Sequence, residues 1–139
     1  MQDAQNIQIV KDAYAAFGRG DIQALLGMLD ENVIWKPVTG ATRVPTAGTR
    51  RGRASVGEFF RVLSESIAFS QFEPREFVAQ NGKVVVLGFY RGTSIKHGSS
   101  FQSEWVMIFT LSNGRVVEFQ EFADSAGLDA AFPAAVATA

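Results

Sequence analysis

Few residue types in this chain could carry chemistry, and several catalytic classes are excluded at once. The 139 residues include no cysteine and a single histidine, His97. Thiolate nucleophiles, disulfides and cysteine-based metal sites are therefore excluded, and one histidine cannot form a multi-histidine zinc or iron site within one chain. The remaining residues imply no metal and no cofactor. His97 falls in a predicted turn, and we assign it no role.

The neighbouring residues Trp35 and Lys36 close a short apolar run that Pro37 ends. Because successive side chains of a strand point to opposite faces, one of the two should face any cavity. Trp35 is predicted to be either an aromatic wall for a flat ligand or ordinary core. A buried Lys36 would have a lowered pKa and could act as a base or form an imine; the alternative is a lysine at the pocket rim with its ammonium in water.

Aromatic residues are the second resource, with twelve Phe, two Trp and two Tyr. Tyr14 and Tyr90 are candidate ligand contacts, because a buried phenol needs a polar partner. Phe59 and Trp105 are predicted to line the same cavity. Four arginines in or near one loop could bind an anion or could simply be solvated: Arg43, Arg50, Arg51 and Arg53.

The first half of the chain is predicted to be mainly helical. Apolar residues recur at helical spacing between residues 7 and 17. Asp21 predicts the N-cap of a second helix that includes Leu29, and Ser55 with Glu58 forms a capping box for a third helix. Two further segments lie between the second and third helices: a short strand at 33–35, and a loop at 38–52 whose length favours a lid or binding loop.

The second half is predicted to be an antiparallel meander. Asn81-Gly82 and Asn113-Gly114 are hairpin signals, because a type I′ turn needs two residues that tolerate positive φ. Gly88 and Gly92 fall where long strands could bend. The predicted strands are 72–80, 83–95, 101–112 and 115–123.

Helices followed by a bent antiparallel sheet predict an α+β cone in which the helices close one side over an apolar cavity. The strands are apolar on both faces, so we expect the helices to cover one face and a second copy of the chain to cover the other, giving a homodimer. Asp124 or Ser125 is predicted to cap a last helix. Residues 1–139 are expected to form one domain, with a frayed tail at 133–139.

Charge and hydropathy restrict the partners. Thirteen basic and fourteen acidic residues give a net charge of −1, which indicates no nucleic-acid partner. The first residues, MQDAQNIQIVKD, lack the apolar block of a signal peptide. No apolar run approaches the ~20 residues of a membrane helix. The prediction is a cytoplasmic protein with no membrane partner.

Three segments carry a resemblance to a known superfamily: AYAAFGRGDIQALLGMLDENVIW (13–35), GTRRGRASVGEFF (48–60) and NGRVVEFQEFAD (113–124). They resemble nuclear transport factor 2-like proteins, and among them the SnoaL-like polyketide cyclases and ketosteroid isomerase-related proteins. The likeness covers about residues 5–132. It implies a cystatin-like cone, with a strongly curved antiparallel sheet wrapped around N-terminal helices, a homodimer formed through the sheet and a deep apolar pocket.

The resemblance implies that the ketosteroid isomerase apparatus is missing. Lys36 stands where those enzymes place the general-base Asp before a proline. Ala13 stands where they place an oxyanion-donating Tyr, with Tyr14 one residue away. Trp105 or Val106 stands where they place a second, protonated Asp. Steroid isomerisation is therefore not expected.

The match to SnoaL-like cyclases is closer but incomplete. Asp124 resembles their general acid/base at the end of the last strand, and Met107 stands where many members place a His, although a thioether cannot relay a proton. Asp124 could still act if an apolar pocket raised its pKa; the alternative is a helix cap only. Glu118 and Glu121 fall on opposite strand faces and are not expected to form a catalytic pair.

These observations predict a SnoaL-like protein with an apolar pocket for a small apolar organic molecule. A cofactor-free acid/base isomerase, cyclase or hydratase acting on a small carbonyl compound is the first hypothesis, with Asp124 as catalytic residue. A non-catalytic small-molecule binding or dimerisation module is the alternative. The predicted ligand contacts are Trp35, Tyr14, Tyr90, Lys36, Phe59, Trp105 and Met107.

Overall fold

The computed structural model describes residues 2–133. Within them, four helices and six strands follow one another, and no helix is both long and apolar enough to cross a bilayer. Residues 134–139, most of the predicted frayed tail, lie outside the described residues. The elements are α1 Gln2–Gly18, α2 Ile22–Gly27, β1 Leu29–Lys36, β2 Arg50–Arg51, α3 Arg53–Ser66, β3 Ile67–Gln80, β4 Lys83–Ser94, β5 Ser100–Ser112, β6 Arg115–Phe122 and α4 Ser125–Ala130.

All six strands form one curved, unclosed sheet in the order β2-β1-β6-β5-β4-β3. Strand β1 runs parallel to β6, and every other neighbouring pair is antiparallel. Helix α1 packs against β3 and β4, and α3 packs against β1 and β3. The predicted α+β cone is confirmed.

Two Asn-Gly pairs form the tight turns between the strands of the meander. Asn81 and Gly82 have φ values of 53° and 76°, and Asn113 and Gly114 have 51° and 77°. Positive φ at both central positions is the type I′ geometry that suits the twist of the flanking strands. Both predicted hairpins are therefore confirmed.

The two glycines of β4 face irregularities in the neighbouring strand. The register of β3 against β4 shifts between Phe69 and Gln71, opposite Gly92, and again between Pro74 and Glu76, opposite Gly88. At Gly88 an added Cβ would overlap the Trp105 ring. The missing side chain thus allows a fully buried indole to lie flat against the strand.

Several predicted boundaries were wrong. The third helix begins at Arg53, with Gly52 as N-cap at φ 87°, so Ser55 lies inside its first turn. Glu58 pairs with Arg61 instead of closing a capping box. Leu29 begins a strand rather than continuing the second helix, and β3 starts at Ile67, five residues earlier than predicted. At Leu29 and at Ile67, sheet pairing overrides the local helical pattern.

Candidate functional site

A cavity of about 90 Å³ lies between the inner face of the sheet and the helices. The polar residues of its lining are Tyr14, Tyr90, Thr46 and Glu121, and Trp35 adds an indole N–H. Among residues 2–133, Glu121 is the one charged residue of the lining. Half of the lining residues are aromatic: Tyr14, Phe17, Trp35, Phe59, Phe60, Phe69, Phe72, Tyr90, Phe101, Phe109 and Phe119.

Strand alternation brings Glu121 into this cavity. Phe119 and Glu121 are two residues apart on β6 and are both buried, with 2% and 7% of their surfaces exposed. Glu121 pairs in register with Met107 of β5. Its backbone carbonyl accepts a hydrogen bond from the Thr39 amide at 3.0 Å, which fixes the end of β6 against the loop that follows β1.

The Glu121 carboxyl group is held by one neighbour. The Tyr90 hydroxyl donates to Glu121 Oε2 at 2.7 Å. Burial raises the pKa of Glu121 to about 7, and the Tyr90 hydrogen bond opposes that rise. Within residues 2–133 no group donates a hydrogen bond to Oε1. One carboxylate oxygen is therefore open to a ligand, on a group that is partly protonated at neutral pH.

The phenol of Tyr14 occupies the same cavity with a weak partner. Its hydroxyl donates to the Met107 Sδ atom at 3.0 Å, and its ring stacks on Trp105 with centroids 6.1 Å apart. Burial first, and then the charge of Glu121, raise the pKa of Tyr14 well above its ordinary value. Because a thioether is a weak acceptor, the Tyr14 hydroxyl can be redirected to a better oxygen acceptor.

Five of the predicted contacts line the cavity. Trp35 stacks on Phe119 with centroids 3.9 Å apart and planes inclined by 16°. The Trp35 Nε1 atom is buried without a hydrogen-bond partner. The predicted residues that line the cavity are Trp35, Tyr14, Tyr90, Phe59 and Met107.

The structure does not bring the other three predicted residues into the lining. Lys36 points away from the cavity and forms an ion pair with Glu118 at 3.4 Å, since it follows an inward-facing Trp35. Trp105 is buried behind Tyr14. Asp124 is exposed, and its Oδ1 accepts from the Gly127 amide at 2.9 Å as the N-cap of α4.

The arginine-rich loop uses two of its guanidinium groups within the fold. Arg50 donates to the carbonyls of Ala47 and Gly48 at 3.0 and 2.7 Å, and Arg53 donates to the Leu29 carbonyl at 2.6 Å. These contacts hold the loop rather than leave both groups free for an anion. Within residues 2–133, no three His, Asp or Glu side chains gather where they could hold a metal ion.

Sequence reasoning missed Glu121. The segment from Val116 to Phe122 has an apolar residue on each face, so alternation alone does not show which face is buried. Phe122 proves to be 41% exposed, whereas Glu121 is buried. The sequence does show that Glu121 lies on the same strand face as Phe119. It supports burial of the other face equally well, because that face carries Phe122.

The curved sheet and the helices that pack on it define the fold of a nuclear transport factor 2-like protein. The sequence profile of the SnoaL-like domain matches residues 10–119. This chain belongs to the SnoaL-like domain family. No curated protein matches the chain in sequence.

Solved structures agree over nearly the whole length. An NTF2-like protein from Burkholderia xenovorans LB400 is 36% identical, with 94% of this chain and 98% of that chain covered and a TM-score of 0.85. An NTF2-like protein of unknown function from Burkholderia pseudomallei K96243 is 32% identical over 94% and 98%, with a TM-score of 0.84. TerC, co-crystallised with polyporic acid, is 26% identical over 92% and 98%, with a TM-score of 0.81.

Proposed function

We propose that the cavity is a cofactor-free acid/base site in which Glu121 moves a proton on a small apolar carbonyl compound. The burial of this single acid among aromatic rings, with one oxygen unpartnered, is the observation that carries the proposal. A general acid/base works best when its pKa lies near the operating pH. A pKa of about 7 for Glu121 meets that condition, so Glu121 replaces Asp124 as the catalytic candidate.

The proposed step is proton abstraction next to a carbonyl group. The Glu121 carboxylate takes a proton from the carbon α to the carbonyl. The electron pair of the C–H bond forms the C=C bond of the enolate, and the π pair of the C=O bond moves onto the oxygen. The Tyr14 hydroxyl leaves Met107 and donates to that oxygen. In a β,γ-unsaturated carbonyl compound, returning the proton from Glu121 to the γ carbon of the dienolate completes an isomerisation. In a dicarbonyl compound, the enolate carbon attacks the second carbonyl and Glu121 returns its proton to the new alkoxide, which completes a cyclisation.

The two phenols have separate parts in this proposal. Tyr90 stays bonded to Glu121 and orients it. Burial, followed by the charge of Glu121, raises the pKa of both Tyr90 and Tyr14 above the ordinary value, so both remain hydrogen-bond donors at physiological pH. An ionised phenol could not donate to a developing oxyanion.

The size and charge of the cavity restrict the substrate. A dry cavity of about 150 Å³ can hold benzene, and this one measures about 90 Å³. The substrate should therefore be a small carbonyl compound, or one whose entry shifts the surrounding rings. No lining residue is basic, so an anionic substrate would meet no compensating charge. That TerC was co-crystallised with polyporic acid supports binding of an organic molecule by this fold.

Hydrogen–deuterium exchange at the α carbon of small ketones tests the proposal, and it does not require the natural substrate. Small ketones such as cyclopentanone are incubated with the protein in D₂O, and deuterium uptake α to the carbonyl is followed by NMR. We expect Glu121→Gln to lower enzymatic exchange by roughly 10²–10⁴-fold, the range for loss of a general base. Asp124→Asn is the matched control and should retain exchange. Equal exchange by wild type and Glu121→Gln would refute the proposal.

We also propose that the outer face of the sheet forms a homodimer interface. Leu87, Val106 and Phe122 stand in register across β4, β5 and β6, and Val78, Val85 and Ile108 form the next row. Of these, Val78, Leu87 and Phe122 are 53%, 38% and 41% exposed. The patch is bordered by charges of both signs, including the Arg75–Glu73 ion pair, so a second copy would meet no net repulsion.

Light scattering coupled to gel filtration tests this interface. Leu87→Arg should convert a dimer to a monomer, because it places a charge in the centre of an apolar contact. Ile95→Arg is the control, since Ile95 is 55% exposed but lies beyond the end of β4. A wild-type monomer at tens of micromolar would contradict the interface. Without catalysis, the same cavity and interface would instead describe a binding or dimerisation module.

A further inference from the structure

The cavity is covered by two segments that are distant in sequence. Pro37, Val38 and Thr46 belong to the loop between β1 and β2, and Leu128 belongs to α4; all four line the cavity. We call the loop of residues 37–49 the cover loop. It is closed at its ends by the Thr39 amide bonded to the Glu121 carbonyl and by the Arg50 contacts described above.

Asp129 joins the middle of the cover loop to α4. Its Oδ1 accepts from the amides of Arg43 and Val44 at 2.8 and 3.0 Å, and its Oδ2 accepts from the Thr42 amide at 2.9 Å. The Thr42 hydroxyl adds a longer contact at 3.4 Å. Three successive backbone amides of the cover loop thus converge on one carboxylate, which lies 85 to 87 residues away along the chain.

We infer that Asp129 is a positioning residue that holds the cover loop and α4 together over Glu121 and so keeps water out of the cavity. This inference rests on the proposed function, because the excluded water matters only if Glu121 acts in the site. Asp129 follows Leu128, whose side chain lines the cavity and is 6% exposed. Val44, one of the bonded residues, is 3% exposed and packs into the core.

The arrangement favours a clamp over an ordinary surface contact for two reasons. Hydrogen bonds to an ionised acceptor are stronger than neutral ones. Partial burial alone would raise the pKa of Asp129, yet the hydrogen bonds from Thr42, Arg43 and Val44 hold it below its usual value. The carboxylate therefore stays charged, and the clamp stays formed, throughout the pH range in which Glu121 titrates.

The experiment compares Asp129→Ala and Asp129→Asn with Asp124→Ala, using the full chain. Asp124→Ala removes the cap at the start of α4 but none of the hydrogen bonds between Asp129 and the cover loop, so it controls for a weakened start of that helix. Hydrogen exchange of the Thr42, Arg43 and Val44 amides reports the clamp. Asp129→Ala should accelerate that exchange by roughly tenfold or more, as expected for loss of a hydrogen bond to a charged group. Asp129→Asn keeps one acceptor oxygen and should fall between Asp129→Ala and wild type.

Two further readouts report the cavity. Acrylamide quenching of tryptophan fluorescence should rise severalfold in Asp129→Ala, because Trp35 lines the cavity. NMR titration of the Glu121 side-chain carbon should show its pKa falling toward the ordinary value as water enters. Asp124→Ala should change neither readout. If Asp129→Ala does not fold, the same two measurements on Asp129→Asn decide the question.

The outcomes separate the two proposals. Ordinary titration of Glu121 in wild type would overturn the proposed function, whatever the clamp does. A wild-type pKa near 7 that stays unchanged in both Asp129 variants, together with faster exchange of the loop amides, would overturn the clamp alone. Access would then be assigned to the groove of about 550 Å³ formed by α1, α2, α3 and β3. This groove shares five residues with the cavity wall: Phe17, Phe60, Leu63, Ile67 and Phe69.

Discussion

The end of β6 and the start of α4 place two acids three residues apart in opposite surroundings. The Glu121 carboxyl group is buried in an aromatic cavity and accepts a hydrogen bond from Tyr90, whereas Asp124 is exposed and its carboxyl group accepts from the Gly127 amide. Burial raises the pKa of Glu121 to about 7. The comparison shows that a position near the end of the last strand does not by itself tell which acid is buried in the cavity.

The pH dependence of stability should separate the two acids most strongly. A pKa raised from 4.5 to about 7 means that the folded state binds the Glu121 proton more tightly than the unfolded chain does. This contribution is fully present below pH 4.5 and is lost as pH rises to about 7, which costs roughly 3 kcal/mol. Urea unfolding between pH 4.5 and 8 should show that loss in wild type and not in Glu121→Gln. An identical pH profile for the two proteins would contradict it.

Removing the Tyr90 hydroxyl should change the pKa of the buried Glu121 and leave the hydrogen bond of the exposed Asp124 in place. Tyr90→Phe leaves the ring in place and removes the hydrogen bond to the Glu121 carboxyl group, which is worth roughly 1.5–3 kcal/mol when the acceptor is charged. Because that bond lowers the pKa of Glu121, the variant should titrate at higher pH than wild type. NMR titration of the Glu121 side-chain carbon measures the shift. A downward shift would mean that Tyr90 does not stabilise the carboxylate.

Asp124 should affect stability through its cap alone. Asp124→Ala removes the acceptor for the Gly127 amide and should cost about 1 kcal/mol, the usual value of an N-cap. Denaturant unfolding at one fixed pH, with wild type as the reference, measures this loss. A loss of ketone exchange in this variant with stability retained would return Asp124 to the catalytic role predicted from the sequence.

The sequence predicted the parts of the fold that local chemistry dictates. Asn-Gly pairs force the two hairpins, and Asp21 caps α2 through the Ala24 amide as expected. The prediction failed where contacts distant in sequence decide. The start of α3 follows β2 and Gly52, whose amide donates to the Val33 carbonyl at 2.8 Å, and no capping pattern predicts that contact.

The candidate site divides in the same way. Aromatic lining could be predicted because large apolar side chains seek burial wherever they lie in the chain. The buried acid could not be predicted, because the face of β6 that points into the cavity depends on the pairing of this strand with β1 and β5. Likewise, the hydrogen bonds that Asp129 accepts from the cover loop join segments more than eighty residues apart, and no sequence spacing predicts them.

The smallest effect is expected at the outer acid of the same strand. Glu118 faces the opposite side of β6 from Glu121 and pairs with Lys36, and both side chains are more than a third exposed. An ion pair this exposed contributes at most about 1 kcal/mol and weakens with salt. Glu118→Gln should therefore change the unfolding free energy by less than the uncapping of α4 does. The change should be smaller still in about 1 M salt, where the Debye length is only about 3 Å. If Glu118→Gln instead abolished the pH dependence of stability assigned to Glu121, the acid that titrates would be Glu118. That acid would then lie on the outer face of β6 and not in the cavity.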